Sequence, residues 1–140
     1  MNTLKLFLIV LPFFLLLDIL WIGVLMSDFY NHELGELARR SGGSLNPRWG
    51  AAVLVYVLIP GGIVLFVRPL LTLESTLLFA FAWGALFGLV VYGVYDLTNL
   101  AVIDRWTVRM TTVDMLWGSV LSGSVAVVML IADRWLNSGT

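Results

Sequence analysis

Residues 75–99 read STLLFAFAWGALFGLVVYGVYDLTN and carry no charged side chain before Asp96. An α-helix rises about 1.5 Å per residue, so crossing a hydrocarbon core of about 30 Å takes about 20 residues of this kind. The stretch is therefore predicted to span a membrane as one helix.

The composition of the whole chain agrees with a membrane setting. The 140 residues are 60% hydrophobic and 12% charged, and the mean hydropathy is +0.97. Ordinary soluble domains carry about 25% charged residues. Eight Lys and Arg with nine Asp and Glu cannot give a chain of this length a polar surface, so lipid must be the solvent for most of it.

Charge and residue usage exclude several classes of function. The net charge is −1 and the basic residues are scattered, whereas nucleic-acid binding needs clustered Lys and Arg. The absence of Cys excludes disulfides and thiolate metal sites, and the single histidine, His32, excludes a multi-histidine zinc site or bis-histidine haem within one chain. We expect no metal and no cofactor.

Three further apolar stretches, at about residues 4–26, 49–67 and 112–132, also have the length of a membrane span. The first is longer than the apolar core of a signal peptide and contains Asp18, so it is predicted to be a retained helix. Pro60, Gly61 and Gly62 should kink or loosen the second.

The polar segment at about residues 28–40 alternates apolar with charged side chains and is predicted to be a short amphipathic interfacial helix. Residues 41–44 (SGGS) read as a flexible break after it. Short links make successive spans antiparallel. We therefore predict an all-α, integral membrane four-helix up-down bundle, forming a single transmembrane domain over residues 1–140.

Basic residues give a weak orientation signal. Five lie in the first and third loops, and three lie on the other side with the terminal amine. Because cytoplasmic loops are enriched in Lys and Arg, this distribution favours loops one and three in the cytoplasm and both termini outside.

Three acids, Asp18, Asp96 and Asp114, lie inside or at the edge of the apolar stretches. Acids in spans usually face a bundle interior or a wet cavity, because exposing them to lipid is unfavourable. Asp18 lies about 12 Å from the loop-one end of its helix, counting about 1.5 Å per residue. The other two lie near the third loop, so all three are predicted to gather toward one membrane face.

Small residues recur every fourth position on the third and fourth spans, which allows two helix backbones to approach closely. The two series are Ala80, Gly84, Gly88, Tyr92 and Asp96, and Asp114, Gly118, Ser122 and Ala126. We predict that these faces pack together with both acids at the loop-three end, where Asn99 could join them.

Tryptophans mark the predicted membrane boundaries. Trp21, Trp49, Trp106 and Trp135 lie near the ends of spans, where Trp is enriched, and are predicted to act as interfacial anchors. Trp117 lies deeper and is not explained in this way.

Four segments together resemble a known family: residues 18–23 (DILWIG), 84–89 (GALFGL), 92–101 (YGVYDLTNLA) and 113–118 (VDMLWG). They are similar to the small bacterial four-helix membrane proteins catalogued as domain of unknown function 2177, over nearly the whole chain. The resemblance implies an integral four-helix protein of the bacterial inner membrane. The resemblance does not imply an activity.

The candidate polar site consists of Asp18, Tyr92, Asp96, Asn99, Asp114 and Trp117. Arg105 and Arg109 are candidate contacts for a phosphate or a lipid headgroup. In the alternative interpretation the acids are structural, accepting hydrogen bonds from Trp and Tyr or pairing with those two arginines.

Three functions remain open. The first hypothesis is an accessory or assembly subunit of a membrane complex, with another membrane protein or a second copy as partner in addition to the bilayer. The alternative is a lipid- or ligand-handling protein, including an enzyme, that uses the acids. Proton or ion transport is least favoured, because nothing ionisable continues the path through the other half of the bundle.

Overall fold

The architecture is an all-α membrane bundle, as a computed structural model describing residues 2–138 shows. Its helices are α1 (Asn2–Leu20), α2 (Ser27–Leu34), α3 (Trp49–Gly62), α4 (Leu77–Val102) and α5 (Val108–Ser138). Four regions are long and apolar enough to cross a membrane: Thr3–Leu25, Trp49–Leu70, Leu77–Val102 and Val108–Ser138. The predicted fold class, four spanning helices with one shorter helix, is confirmed.

Two of the spans change helix type before they end. α1 continues into a π-helical segment, Trp21–Leu25, and α3 continues into another, Ile63–Val67, followed by a 3₁₀ turn, Arg68–Leu70. The second π-helical segment begins directly after Pro60-Gly61-Gly62. Proline lacks the N–H of the regular helical ladder, and the span accommodates this region by a wider turn rather than by a break.

Side-chain caps and polar ends explain where α4 and α5 differ from the predicted bounds. Thr76 Oγ1 accepts a hydrogen bond from the Phe79 amide, so α4 starts at Leu77, slightly later than predicted. Thr107 Oγ1 accepts one from the Met110 amide, so α5 starts at Val108, earlier than predicted. α5 also continues past Asp133, since a helix can extend into the polar zone. α4 stays helical through Asp96 to Val102.

The segment between α1 and α3 is more ordered than its sequence suggests. A 3₁₀ turn, Gly35–Leu37, follows α2, and Ala38 is already extended, so residues 38–40 of the predicted amphipathic helix are not helical. Strands β1 (Arg40–Ser41) and β2 (Ser44–Leu45) then pair antiparallel. Gly42 and Gly43 have φ of 58° and 84°, which glycine adopts readily, and they form a tight hairpin turn rather than a flexible break.

The apolar core forms where α1 meets α5. Leu6, Val10 and Phe14, each four residues apart on α1, are fully buried, and they join a cluster with residues of α5 and of the Ile63–Val67 segment. α3 itself packs mainly on α1, whereas the Ile63–Val67 segment contacts α1, α4 and α5.

α4 and α5 form the most extensive helix pair, and their backbones touch. A Cβ atom added to Gly84 would lie 2.5 Å from Ala126 Cβ, and one added to Gly88 would lie 2.1 Å from the Gly118 carbonyl oxygen. Ala80 in the α4 series and Ser122 in the α5 series are fully buried. Only glycine leaves room for this approach.

Candidate functional site

The three intramembrane acids are all buried at the end of the bundle that carries α2 and the α4–α5 loop. The exposed fractions are 5% for Asp18, 0% for Asp96 and 8% for Asp114. α1, α4 and α5 each contribute one of them. The acids differ in their hydrogen-bond partners, and this difference gives the site its chemistry.

Asp18 is held by neutral donors from two other helices. Trp117 Nε1 donates to Asp18 Oδ1 over 3.0 Å, and the Tyr56 hydroxyl of α3 also bonds to this carboxyl group. An indole N–H can only donate, so the Trp117 bond matches a carboxylate acceptor. Asp18 thereby links α1 to α5 and α3.

Trp21 belongs to the same cluster. Its ring stacks on Trp117 with centroids 4.4 Å apart and planes 5° apart. The ring of Trp21, predicted to be an interfacial anchor, thus also packs against another helix of the bundle. Trp49 and Trp135, by contrast, are 70% exposed.

Asp114 is bonded from the interfacial helix α2. The Tyr30 hydroxyl donates to Asp114 Oδ1 over 2.7 Å and accepts a bond from Trp21 Nε1 over 3.1 Å. Tyr30 is only 5% exposed. Burial, and then the adjacent Asp114 charge, raise the pKa of the Tyr30 hydroxyl, so this group is a neutral donor.

Asp96 has no such donor. Both of its carboxyl oxygens lack a hydrogen-bond partner among residues 2–138, although the residue is fully buried. Its carboxyl group interacts with that of Asp114 across the α4–α5 contact. Buried polar groups are nearly always hydrogen-bonded in folded proteins, so Asp96 is the exceptional member of the cluster.

Arg105 and Arg109 pair with acids of α2 and of the 3₁₀ turn after it rather than with the buried acids. Arg105 pairs with Glu36, and Arg109 lies 3.7 Å from a carboxylate oxygen of Glu33 and 5.1 Å from the centroid of the Phe29 ring. The structure therefore does not show the pairing of these arginines with Asp96 or Asp114 that the structural alternative allowed. They hold α2 and the 3₁₀ turn after it against the α4–α5 loop and the start of α5.

Tyr92, Asn99 and His32 do not share one hydrogen-bonded cluster with the acids. Tyr92 is half-buried and its ring packs directly on Gly118, one helical turn from Asp96. Asn99 bonds to the Tyr95 hydroxyl on its own helix instead of joining Asp96 and Asp114. His32 is exposed, with Nδ1 3.6 Å from Glu33.

Tyr30 and Tyr56 are the site residues that sequence reasoning missed. Tyr56 carried a signal, because a phenol inside an otherwise apolar span has to find a hydrogen-bond partner. Tyr30 carried none, since its polar segment gave no reason to expect burial.

Two surface pockets lie away from Asp18, Asp96 and Asp114. One, of about 320 Å³, is lined in part by Arg68 and Asp133, whose side chains form two hydrogen bonds of 3.1 and 3.2 Å. The other, of about 240 Å³, is an apolar groove lined by residues such as Phe66 and Trp83. Within residues 2–138, no three His, Asp or Glu side chains are grouped as a metal site requires.

Four membrane-length helices around a set of buried acids define a small multi-pass membrane protein with a polar cluster near one end. The chain belongs to the family described as "Predicted membrane protein (DUF2177)", whose model matches residues 3–131. The resemblance found in the sequence is thus confirmed. No curated protein and no solved structure matches the chain.

Proposed function

We propose that the protein is an accessory or assembly subunit of a membrane complex in the bacterial inner membrane, and that it acts as a single transmembrane domain. The observation that supports this is the loose packing of the first half of α3. None of residues 49–59 is buried, whereas α1 buries a residue at every fourth position from Leu6 to Asp18.

An under-packed half-helix is a suitable docking surface for a helix of another membrane protein. Association in lipid depends on close packing rather than on a hydrophobic driving force. Gly50 is the small residue of this surface, and a Cβ atom added there would have no neighbouring atom within 4 Å. Leu54 and Leu58, 61% and 67% exposed, supply larger groups that a partner helix can pack between.

Photocrosslinking in native membranes tests this surface. A photoreactive residue replaces Leu54 or Leu58, and matched controls replace Leu116 on α5 and Leu16 on α1, which are 62% and 65% exposed. We expect one discrete protein adduct from the α3 positions, none from the controls, and copurification of the same partner in mild detergent.

Two results would overturn the proposal. Adducts with lipid alone at all four positions would show that α3 faces only the bilayer. An adduct that contains two copies of this chain and nothing else would make α3 a self-association surface, in place of a docking site for another protein.

A second candidate, lipid or ligand handling, is favoured by the donor-free carboxyl group of Asp96. In that function Arg105 and Arg109 would exchange Glu36 and Glu33 for a phosphate group. A change in the lipid composition of membranes from a deletion strain, reversed by the wild-type chain and not by Asp96→Asn, would support it. An unchanged composition would count against it.

A further inference from the structure

The buried acids have no cationic partner within residues 2–138. Among the basic residues of the first and third loops, Arg105 and Arg109 pair with Glu36 and Glu33, and Arg40 bonds to Asn31. Three carboxylates in a low-dielectric interior would repel one another, and burial without a counter-ion strongly disfavours the charged form. Neutralising part of this charge with a bound species would relieve both costs.

Hydrogen bonding indicates where that species binds. Asp18 accepts from Trp117 and Tyr56, and Asp114 accepts from Tyr30, but Asp96 accepts from nothing among the residues that the structure describes. A carboxylate is an acceptor only, whereas a carboxylic acid also donates. If Asp96 is protonated, its carboxyl group is neutral and donates a second hydrogen bond to Asp114. The Asp96 carboxyl group then no longer lacks a partner.

We propose that Asp96 and Asp114 form a binding site for one proton, carried on Asp96 and donated in a hydrogen bond to Asp114. The proton adds to one carboxylate oxygen of Asp96 when the site fills and returns to water when it empties. No bond other than this O–H forms or breaks. This inference does not depend on the docking function of α3.

The surroundings identify this pair as the place where the proton resides. The titratable groups that interact with this pair are Tyr30 of α2, Asp18 of α1, and Tyr92 and Tyr95 of α4, whereas Tyr56 of α3 interacts with Asp18. The tyrosines are neutral phenols. Asp18 has two donors of its own, so Asp96 gains most from a proton.

Proton exchange is expected from one membrane face only. Tyr30 covers Asp114 from the side of α2, which lies outside the spanning segments. Toward the opposite face, the buried positions of α1 are Leu6, Val10 and Phe14. The site therefore binds a proton but offers no polar path along this helix, and it suits a response to pH on one side better than transport.

Infrared spectroscopy of the purified full-length chain in lipid vesicles tests the proposal. We expect a carbonyl band of a protonated carboxylic acid at neutral pH that Asp96→Asn removes and that Asp104→Asn, at an exposed loop position, leaves unchanged. The amide group introduced by Asp96→Asn can still donate to Asp114, so this variant should fold. Absence of the band from the wild-type spectrum would overturn the proposal.

Labelling with dicyclohexylcarbodiimide gives an independent measurement on the wild-type chain, which holds even if a variant fails to fold. This lipid-soluble reagent modifies protonated carboxyl groups. Mass spectrometry should locate the adduct on Asp96, with several-fold less adduct in alkaline than in acidic buffer. Protection by sodium at constant pH would instead show a metal-cation site, and no labelling of Asp96 at any pH would show that no proton is bound.

Discussion

The Tyr30 hydroxyl donates to Asp114 Oδ1 over 2.7 Å, across 84 positions of sequence. Trp21 donates to the same hydroxyl. α2 has only eight residues and a polar sequence, yet this contact joins it to the interior of a membrane bundle. The buried acids are therefore part of the reason why α2 packs where it does.

Replacing Tyr30 by Phe should lower the free energy of unfolding. The ring stays, but the buried Asp114 loses a donor and Trp21 loses an acceptor, and an unmet buried group costs about 1–3 kcal/mol. Thermal unfolding in mild detergent measures the change. Tyr95→Phe is the control, because Tyr95 is exposed and bonds to Asn99 on its own helix. Equal losses of unfolding free energy in the two variants would show that the buried Tyr30–Asp114 hydrogen bond stabilises the protein no more than the exposed Tyr95–Asn99 bond does.

Gly88→Ala should destabilise the α4–α5 pair by about 1–3 kcal/mol or more, through overpacking. The new Cβ atom would lie 2.1 Å from the Gly118 carbonyl oxygen, a backbone atom that cannot move aside cheaply. Gly50→Ala is the matched control, since open space surrounds that position. Val90→Leu, at an exposed position, should likewise have little effect. A Gly88 variant as stable as the Gly50 variant would contradict the observed helix contact.

Glu33 should matter more than Glu36 for holding α2 in place. The Glu33 side chain is only 6% exposed, accepts a hydrogen bond from Thr107 and lies near Arg109. The Glu36–Arg105 pair is exposed on both sides, and such pairs contribute at most about 1 kcal/mol. Hydrogen exchange of the α2 amides should accelerate clearly in Glu33→Gln and hardly in Glu36→Gln. The reverse order would mean that the exposed pair is the main attachment.

Thiol labelling checks the predicted topology. The chain has no Cys, so Ser41→Cys in the first loop and Ser138→Cys at the end of α5 each introduce a unique thiol. Four spans place these positions on opposite sides of the membrane. A membrane-impermeant reagent added to intact cells should label only one of them, Ser138→Cys if the basic-residue bias is correct. Labelling of both from outside would rule out four spans.

Much of the fold follows from local sequence. Hydropathy predicts all four spans, because the preference of a 20-residue segment for lipid is nearly a sum over its own residues. The bounds of α5 are less predictable, since Asp133 and Arg134 mark the end of the apolar stretch and not the end of the helix. The hairpin at Gly42 and Gly43 differs from the predicted break because two glycines permit both conformations.

The sequence by itself determined the medium, the four spanning helices, the small-residue faces of α4 and α5, and the presence of three acids near one end. Only the tertiary structure decided the partners of those acids: Trp117 for Asp18, Tyr30 for Asp114 and, within residues 2–138, no donor for Asp96. The physical reason is that a hydrogen bond needs a donor within about 3 Å at a suitable angle. That geometry depends on the rotation of each helix and on the folding of α2 back onto the bundle, neither of which any local stretch of sequence specifies.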